Sequence, residues 1–151
     1  MTRVVAAGLI AFVLLYFEPQ KLFIDDEVHE VLPVATDGSP ALRVLSTGRF
    51  RSYEHSTSGR ARVLQLPDGR RYVRFDRFST SNGPALKVYL SAAPATGPGD
   101  AFDDRYVNLG DLKGNIGEQN YAIPRDVDLD RYRSVVVWCK RFSVAFGAAA
   151  L

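Results

Sequence analysis

Cysteine is almost absent from this 151-residue chain: Cys139 stands alone. A single cysteine excludes an intramolecular disulfide and any Cys-cluster zinc site. Histidine is nearly as scarce. His29 and His55 are too few for a His-rich metal site, and supply at most two ligands beside carboxylates or Cys139. Charge of one sign is not in excess either. Nineteen basic and 17 acidic residues leave a net charge of +2, and no basic run marks a nucleic-acid partner. The arginines at 60, 62, 70, 71 and 74 cluster in sequence and read as the solvated face of a hairpin. Zinc-protease, P-loop, dinucleotide-binding and serine-hydrolase elbow motifs are all missing. Asp100, Asp103, Asp104 and Asp111 lack the spacing of an EF-hand. Beyond the N-terminus no window keeps a 3.6-residue period, and there is no repeat.

The N-terminus differs from the rest. Arg3 precedes an uncharged, largely apolar run from Val4 to Phe17, closed by Glu18-Pro19-Gln20-Lys21. A positive residue before an apolar segment is an export signal, and no small-x-small cleavage site follows it. The reading is an uncleaved signal anchor over 1–21, a single transmembrane helix. The run is short against the roughly 20 residues a spanning helix wants. Charge placement puts the N-terminus in the cytoplasm and the following domain outside. A buried core helix is the alternative. Residues 22–42 read as a tether and lead-in, with an acidic patch around a solvated His29.

From residue 43 the chain reads as a β domain, its first strand expected over Gly48 to Glu54. Pro67-Asp68-Gly69-Arg70 between two β-like runs is a hairpin signal. Val73 and Phe75 share a face, and Phe78, three residues on, needs a bulge to point inward. Leu86, Val88 and Leu90 alternate with Lys87, Tyr89 and Ser91 as in a strand with one buried face. Residues 93–104 read as a long surface loop, and short strands are expected over 107–112 and 119–123. Val135, Val136 and Val137 suit a central strand covered on both sides. Period 2 then places Cys139 with Val135 and Val137, and Trp138 on the opposite face. Phe142, Val144 and Phe146 alternate as in a last strand. About eight short strands with Gly/Pro turns imply an all-β fold, an antiparallel sandwich or barrel. Jelly roll, lipocalin-like barrel and Greek-key sandwich remain alternatives, the first preferred.

Spacing by itself favours a packed Cys139. Yet a lone thiol in an exported domain is unusual, and Lys140 and Arg141 would lower its pKa if it were exposed. His55, in Glu54-His55-Ser56-Thr57-Ser58-Gly59, is either a turn anchor or a base or ligand.

Several blocks together resemble the DM13 domain family. They are Gly48-x-Phe50; His55-Ser56-Thr57-Ser58-Gly59-x-Ala61; Phe75-Asp76-x-Phe78-x-Thr80-x-Asn82-Gly83-Pro84; Leu86-x-Val88-Tyr89-Leu90-Ser91; Leu109 through Gly114-Asn115-x-Gly117-x-Gln119-Asn120-Tyr121; and Val135 through Trp138-Cys139 to Phe146-Gly147-x-Ala149. They run in order over about residues 43–151. The anchor followed by Pro19-Gln20-Lys21-Leu22-Phe23 resembles small membrane-anchored bacterial members. The resemblance implies a β-sandwich or barrel with a role in redox or electron transfer, and a redox partner protein. The family's characteristic cysteine, a redox thiol or cofactor ligand, maps onto Cys139. Trp138, His55 and Tyr121 are weaker candidates for its surroundings. No particular cofactor and no metal follows, and an independent enzyme is not expected. The alternative is a non-catalytic module of the cell envelope that binds a ligand or protein through loops 79–84 and 114–121. A metal-dependent oxygenase ranks third.

Overall fold

Short apolar and β-branched runs, each stopped by glycine, proline or hydroxyl residues, leave this chain few ways to bury its core except as a sheet curled on itself. A computed structural model describes residues 2–17, 24–39 and 42–151. Helix α1 spans Thr2–Phe17. Nine strands follow: β1 (Glu27–His29), β2 (Arg43–Ser52), β3 (Ser58–Gln65), β4 (Arg71–Ser79), β5 (Leu86–Ser91), β6 (Tyr106–Asp111), β7 (Ile116–Ile123), β8 (Ser134–Cys139) and β9 (Val144–Ala150). They form one sheet in the order β1-β7-β4-β3-β2-β9-β8-β5-β6. The expected β fold is thus present as one curled sheet, a half-barrel, with nine strands among the described residues rather than about eight. It is a mixed sheet rather than a purely antiparallel one, because β1 runs parallel to β7.

β2 makes the curl possible. Its first part, Arg43 to Arg49, pairs with β3, and Phe50 to Ser52 pair with β9. The two halves of the sheet face each other across a core that includes Phe50, Phe75, Phe78, Val88, Leu90, Tyr121, Val135, Val137, Cys139 and Phe146. Phe50 packs edge-on against Phe75 and Phe78 at 4.9 and 5.1 Å between ring centroids. Phe78 reaches the core as expected, through a register shift between Phe75 and Phe78 with Arg77 at φ 47°. The expected hairpin at 67–70 also forms, with Gly69 at φ 84° and the Leu66 amide donating to the Arg70 carbonyl.

β8 is buried along its whole length, flanked by β5 and β9. The segment read as a surface loop, 93–104, turns out to be the lid on its outer face. Ala95 and Phe102 from this segment are buried in a second cluster with Tyr89, Val136, Trp138, Ala145 and Ala148. β9 therefore has two buried faces rather than one. Its expected start is also corrected. A turn with Ser143 at φ 52° precedes it and leaves Phe142 exposed.

Two more expectations are corrected. Arg74 is not on a solvated face; it is buried and donates to the Glu30 and Asn120 oxygens and to Asp76. The lead-in is not a free tether, since β1 and its neighbours are bonded along β7. Among the described residues, no helix is long and apolar enough to cross a membrane. α1 has 16 residues, about 24 Å at 1.5 Å per residue. Val5, Leu9, Ile10, Phe12, Val13 and Leu15 are exposed on it, so it is not a buried core helix. The remainder of the expected anchor, Met1 and residues 18–21, lies outside the described residues.

Candidate functional site

Cys139 ends β8 directly opposite Leu86 of β5 and is fully buried. Its thiol lies 3.2 Å from the Pro84 carbonyl oxygen, to which the S–H donates. Alternation along β8 puts Cys139 on the core face with Val135 and Val137 and turns Trp138 into the outer cluster. Lys140 and Arg141 are exposed on the following turn. Arg141 is engaged with Tyr16 of α1, its guanidinium 4.6 Å from the ring centroid.

The segment over the thiol is shaped by the run Thr80 to Leu86. Ala85 sits at φ 56°, a left-handed conformation unusual for a residue with a Cβ, and its carbonyl accepts from the Lys140 amide at 3.1 Å. Gly83 is needed for contact: a Cβ there would lie 2.8 Å from Cζ of Phe146. His55 also packs on that ring, 3.9 Å between centroids. Beneath it Thr57 is buried, its hydroxyl bonded to Thr80 Oγ1 at 2.8 Å and donating to the Phe146 carbonyl at 3.0 Å.

Beside this cover lies a cleft of about 420 Å³, lined among others by Asp26, Asn82, Leu86, Lys87, Asp111 and Asn115. Gly83, Ala85 and Leu86 also line it, and Leu86 is the strand partner of Cys139. Lys87 pairs with Asp111 across the mouth. Asn115 is the frame. Its amide donates to Thr80 O at 3.1 Å and Asp25 Oδ1 at 2.8 Å, and its Oδ1 accepts from the Asp26 amide at 2.7 Å. Asn82 donates to the Ile24 carbonyl at 2.9 Å.

A second polar group supports the cleft from behind. Gln119 is fully buried and clasps Gly114, donating to its carbonyl at 2.7 Å and accepting from its amide at 3.3 Å. The Tyr121 hydroxyl donates to Gln119 Oε1 at 2.5 Å and accepts from the Lys113 amide at 3.1 Å. Burial raises the Tyr121 pKa well above its ordinary value, so the phenol stays a donor at neutral pH. Glu30 holds Lys113 at 2.7 Å and accepts from the Asn120 amide at 2.6 Å. Burial opposes its ionisation, but Lys113 and the Asn120 amide keep its carboxyl below the ordinary value.

The four residues singled out from sequence therefore do not line one pocket. Cys139 and Tyr121 belong to the main core, and His55 closes over Phe146 of the same core. Trp138 lies in the outer cluster, on the opposite face of β8 from the thiol, as its alternation with Cys139 predicts. Sequence reasoning missed Lys87, Asp111 and Asp26 as lining residues. Loops 79–84 and 114–121, named as binding loops, do flank the cleft through Asn82, Gly83, Gly114 and Asn115. Among the described residues, no group of three or more His, Cys, Asp or Glu is placed to hold a metal ion.

A curled β-sheet with an enclosed thiol beneath a loop-lined cleft defines the class of domain. The profile of a family described as electron transfer DM13 matches residues 49–151. The chain belongs to the DM13 family. No curated protein and no solved structure matches it.

Proposed function

We propose that this chain is a membrane-tethered, extracytoplasmic redox module centred on Cys139, serving a partner protein rather than acting as an enzyme by itself. The match of the electron transfer family over the thiol-bearing domain carries this reading. Burial of Cys139 under Pro84 adds a physical constraint. Such a thiol does not meet a bulky oxidant by collision, so its electrons leave through the protein. Support for the tether comes from Arg3 ahead of the apolar run and from the exposed apolar side chains of α1, which suit a lipid environment.

The test is voltammetry of the full chain adsorbed on an electrode from detergent. A redox wave that disappears in Cys139→Ser supports the proposal. A wave unchanged by that substitution, or no wave, overturns it. For the tether, the chain should sediment with membranes and its β domain should be cut by protease added to the outer side; a freely soluble chain sinks that part. A second reading, a ligand-binding module, is favoured by one observation: the cleft of about 420 Å³ falls within the size of small-molecule sites, about 300–1,000 Å³. It is the reading left if electron uptake does not depend on Cys139.

A further inference from the structure

The outer face of the β6-β5-β8 half of the sheet carries three stacked aromatic rings. Tyr106 of β6 is exposed and Tyr89 of β5 is buried, with ring centroids 4.1 Å apart and planes within 17°. Tyr89 in turn stacks towards Trp138 of β8, 6.2 Å between centroids with planes within 25°. Trp138 is 2% exposed and is joined to Cys139 by a single peptide unit. The residues lie diagonally on neighbouring strands: Tyr106 pairs with Ser91, two residues from Tyr89, and Trp138 pairs with Lys87, two residues the other way. Phe102, Ala95 and Tyr53 pack over this cluster, so the inner rings are shielded from water while the outermost meets solvent.

We propose that Tyr106, Tyr89 and Trp138 form an electron port, a relay that carries one-electron oxidising equivalents from the protein surface at Tyr106 to Trp138, beside Cys139. It rests on the redox reading above and gives that reading a docking point for the partner. The phenols are the right kind of intermediate carrier, since each can give up an electron if its proton has somewhere to go. The stacked Tyr106 phenol and the Asp103 carboxylate both act on the Tyr89 phenol. Burial and these neighbours push the Tyr89 pKa up to about 12, so it enters the sequence as a neutral phenol.

A one-electron oxidant at the surface takes an electron from Tyr106, whose proton passes to water. The Tyr106 radical then recovers an electron and a proton from Tyr89. The Tyr89 radical recovers an electron from the Trp138 indole and a proton from water by way of the exposed Tyr106 hydroxyl. Trp138, shielded from water, keeps its N–H proton and is left as the radical cation. The sum is one electron to the oxidant, no net proton released and an oxidised Trp138.

The experiment uses the full chain with Asp104→Cys, an exposed position two residues from Tyr106, labelled with a ruthenium polypyridyl photosensitiser. Buried Cys139 is spared by labelling in the native state. Flash-quench generates the oxidant, and transient absorption follows the radicals. Trp138 is the only tryptophan, so a tryptophanyl signal reports that site alone. The expected result is a tryptophanyl radical that forms in the Asp104→Cys background. Its formation should slow by about tenfold or more in Tyr89→Phe, the change made by about 1.4 kcal/mol in a barrier. Phenylalanine keeps the stack but not the oxidisable phenol. Tyr53→Phe, in the same cluster but packed on Phe102, should leave the rate unchanged. Absence of the signal, an unchanged rate in Tyr89→Phe or equal slowing in Tyr53→Phe overturns the relay. Adding Cys139→Ser separates the two ideas. A longer-lived Trp138 radical shows the thiol downstream of the relay. An unchanged lifetime leaves the relay standing and overturns the thiol-centred reading.

Discussion

At the scale of single residues, the polar side chains of the DM13 motif act as joints. Thr57 ties the His55 turn to Thr80 and to β9, Asn115 ties three segments, and Tyr121 ties Gln119 to Lys113. Among the described residues every buried side-chain nitrogen and oxygen has a partner, as a rigid polar frame requires. Tyr121→Phe deletes one hydroxyl and strands the Lys113 amide. It is expected to lower stability by about 1–3 kcal/mol, the cost of leaving a buried partner unsatisfied, as read by urea denaturation with an unchanged slope. A loss within error would mean that water replaces the phenol. Cys139 was placed on the core face by alternation with Val135 and Val137, and it is there. Its hydrogen bond to Pro84, 55 residues away in sequence, had no local signal.

At the scale of the element, β1 shows what a three-residue strand needs. It is seated against Gly114 and Gly117, where any Cβ would run into the Asp26 and Val28 backbone, and Gly117 takes φ 107°. Its one histidine, exposed as expected, is also clamped: His29 lies 2.9 Å from Glu27 and 2.9 Å from Glu118. Hydrogen bonds to Glu118 first, then Glu27, raise the His29 pKa above 6.5. The bond to His29 in turn holds Glu118 below 4.5. The histidine's contribution is full below its unfolded value and fades as pH rises through the raised folded value. That of Glu118 is present above its unfolded value and fades as pH falls through the lowered one. The docking of β1 should therefore be firmest between about pH 4.5 and 6.5 and loosen on the alkaline side. Hydrogen exchange of the amides of residues 27–30, corrected for intrinsic rates, checks this against His29→Gln. Equal pH dependence in both chains would refute the clamp.

At the scale of the whole molecule, the curl of the sheet depends on one close approach. Gly48 lies against the Ala150 carbonyl, with no room for a Cβ, just before β2 leaves β3 for β9. Gly48→Ala should cost about 1–3 kcal/mol or more, the usual penalty of overpacking, and should release the end of β9. Circular dichroism melting combined with proteolysis of the C-terminus measures both effects. A melting temperature unchanged from the parent would show that the seam yields without strain.

Much of this architecture is legible in short windows. The hairpin at 67–70, the bulge that admits Phe78 and the opposite facing of Trp138 and Cys139 all follow from turn chemistry and a period of two, which act between neighbours. The DM13 blocks made the family readable before any geometry was available. The remainder rests on contacts between distant segments. Nothing near Arg74 announces that Glu30 and Asn120 will enclose it. Polarity made 93–104 look like a surface loop, yet Phe102 is fully buried because it packs on the outer face of β8 with Val136 and Trp138. The cleft takes Asp26 from the lead-in, Asn82 from one loop and Asn115 from another. Sequence by itself thus determined most of the strands after β1, the facing of Phe78, Trp138 and Cys139, and the family. Tertiary structure alone decided which faces are covered, where the thiol is enclosed and which rings stack, because those depend on chain closure rather than on local pattern.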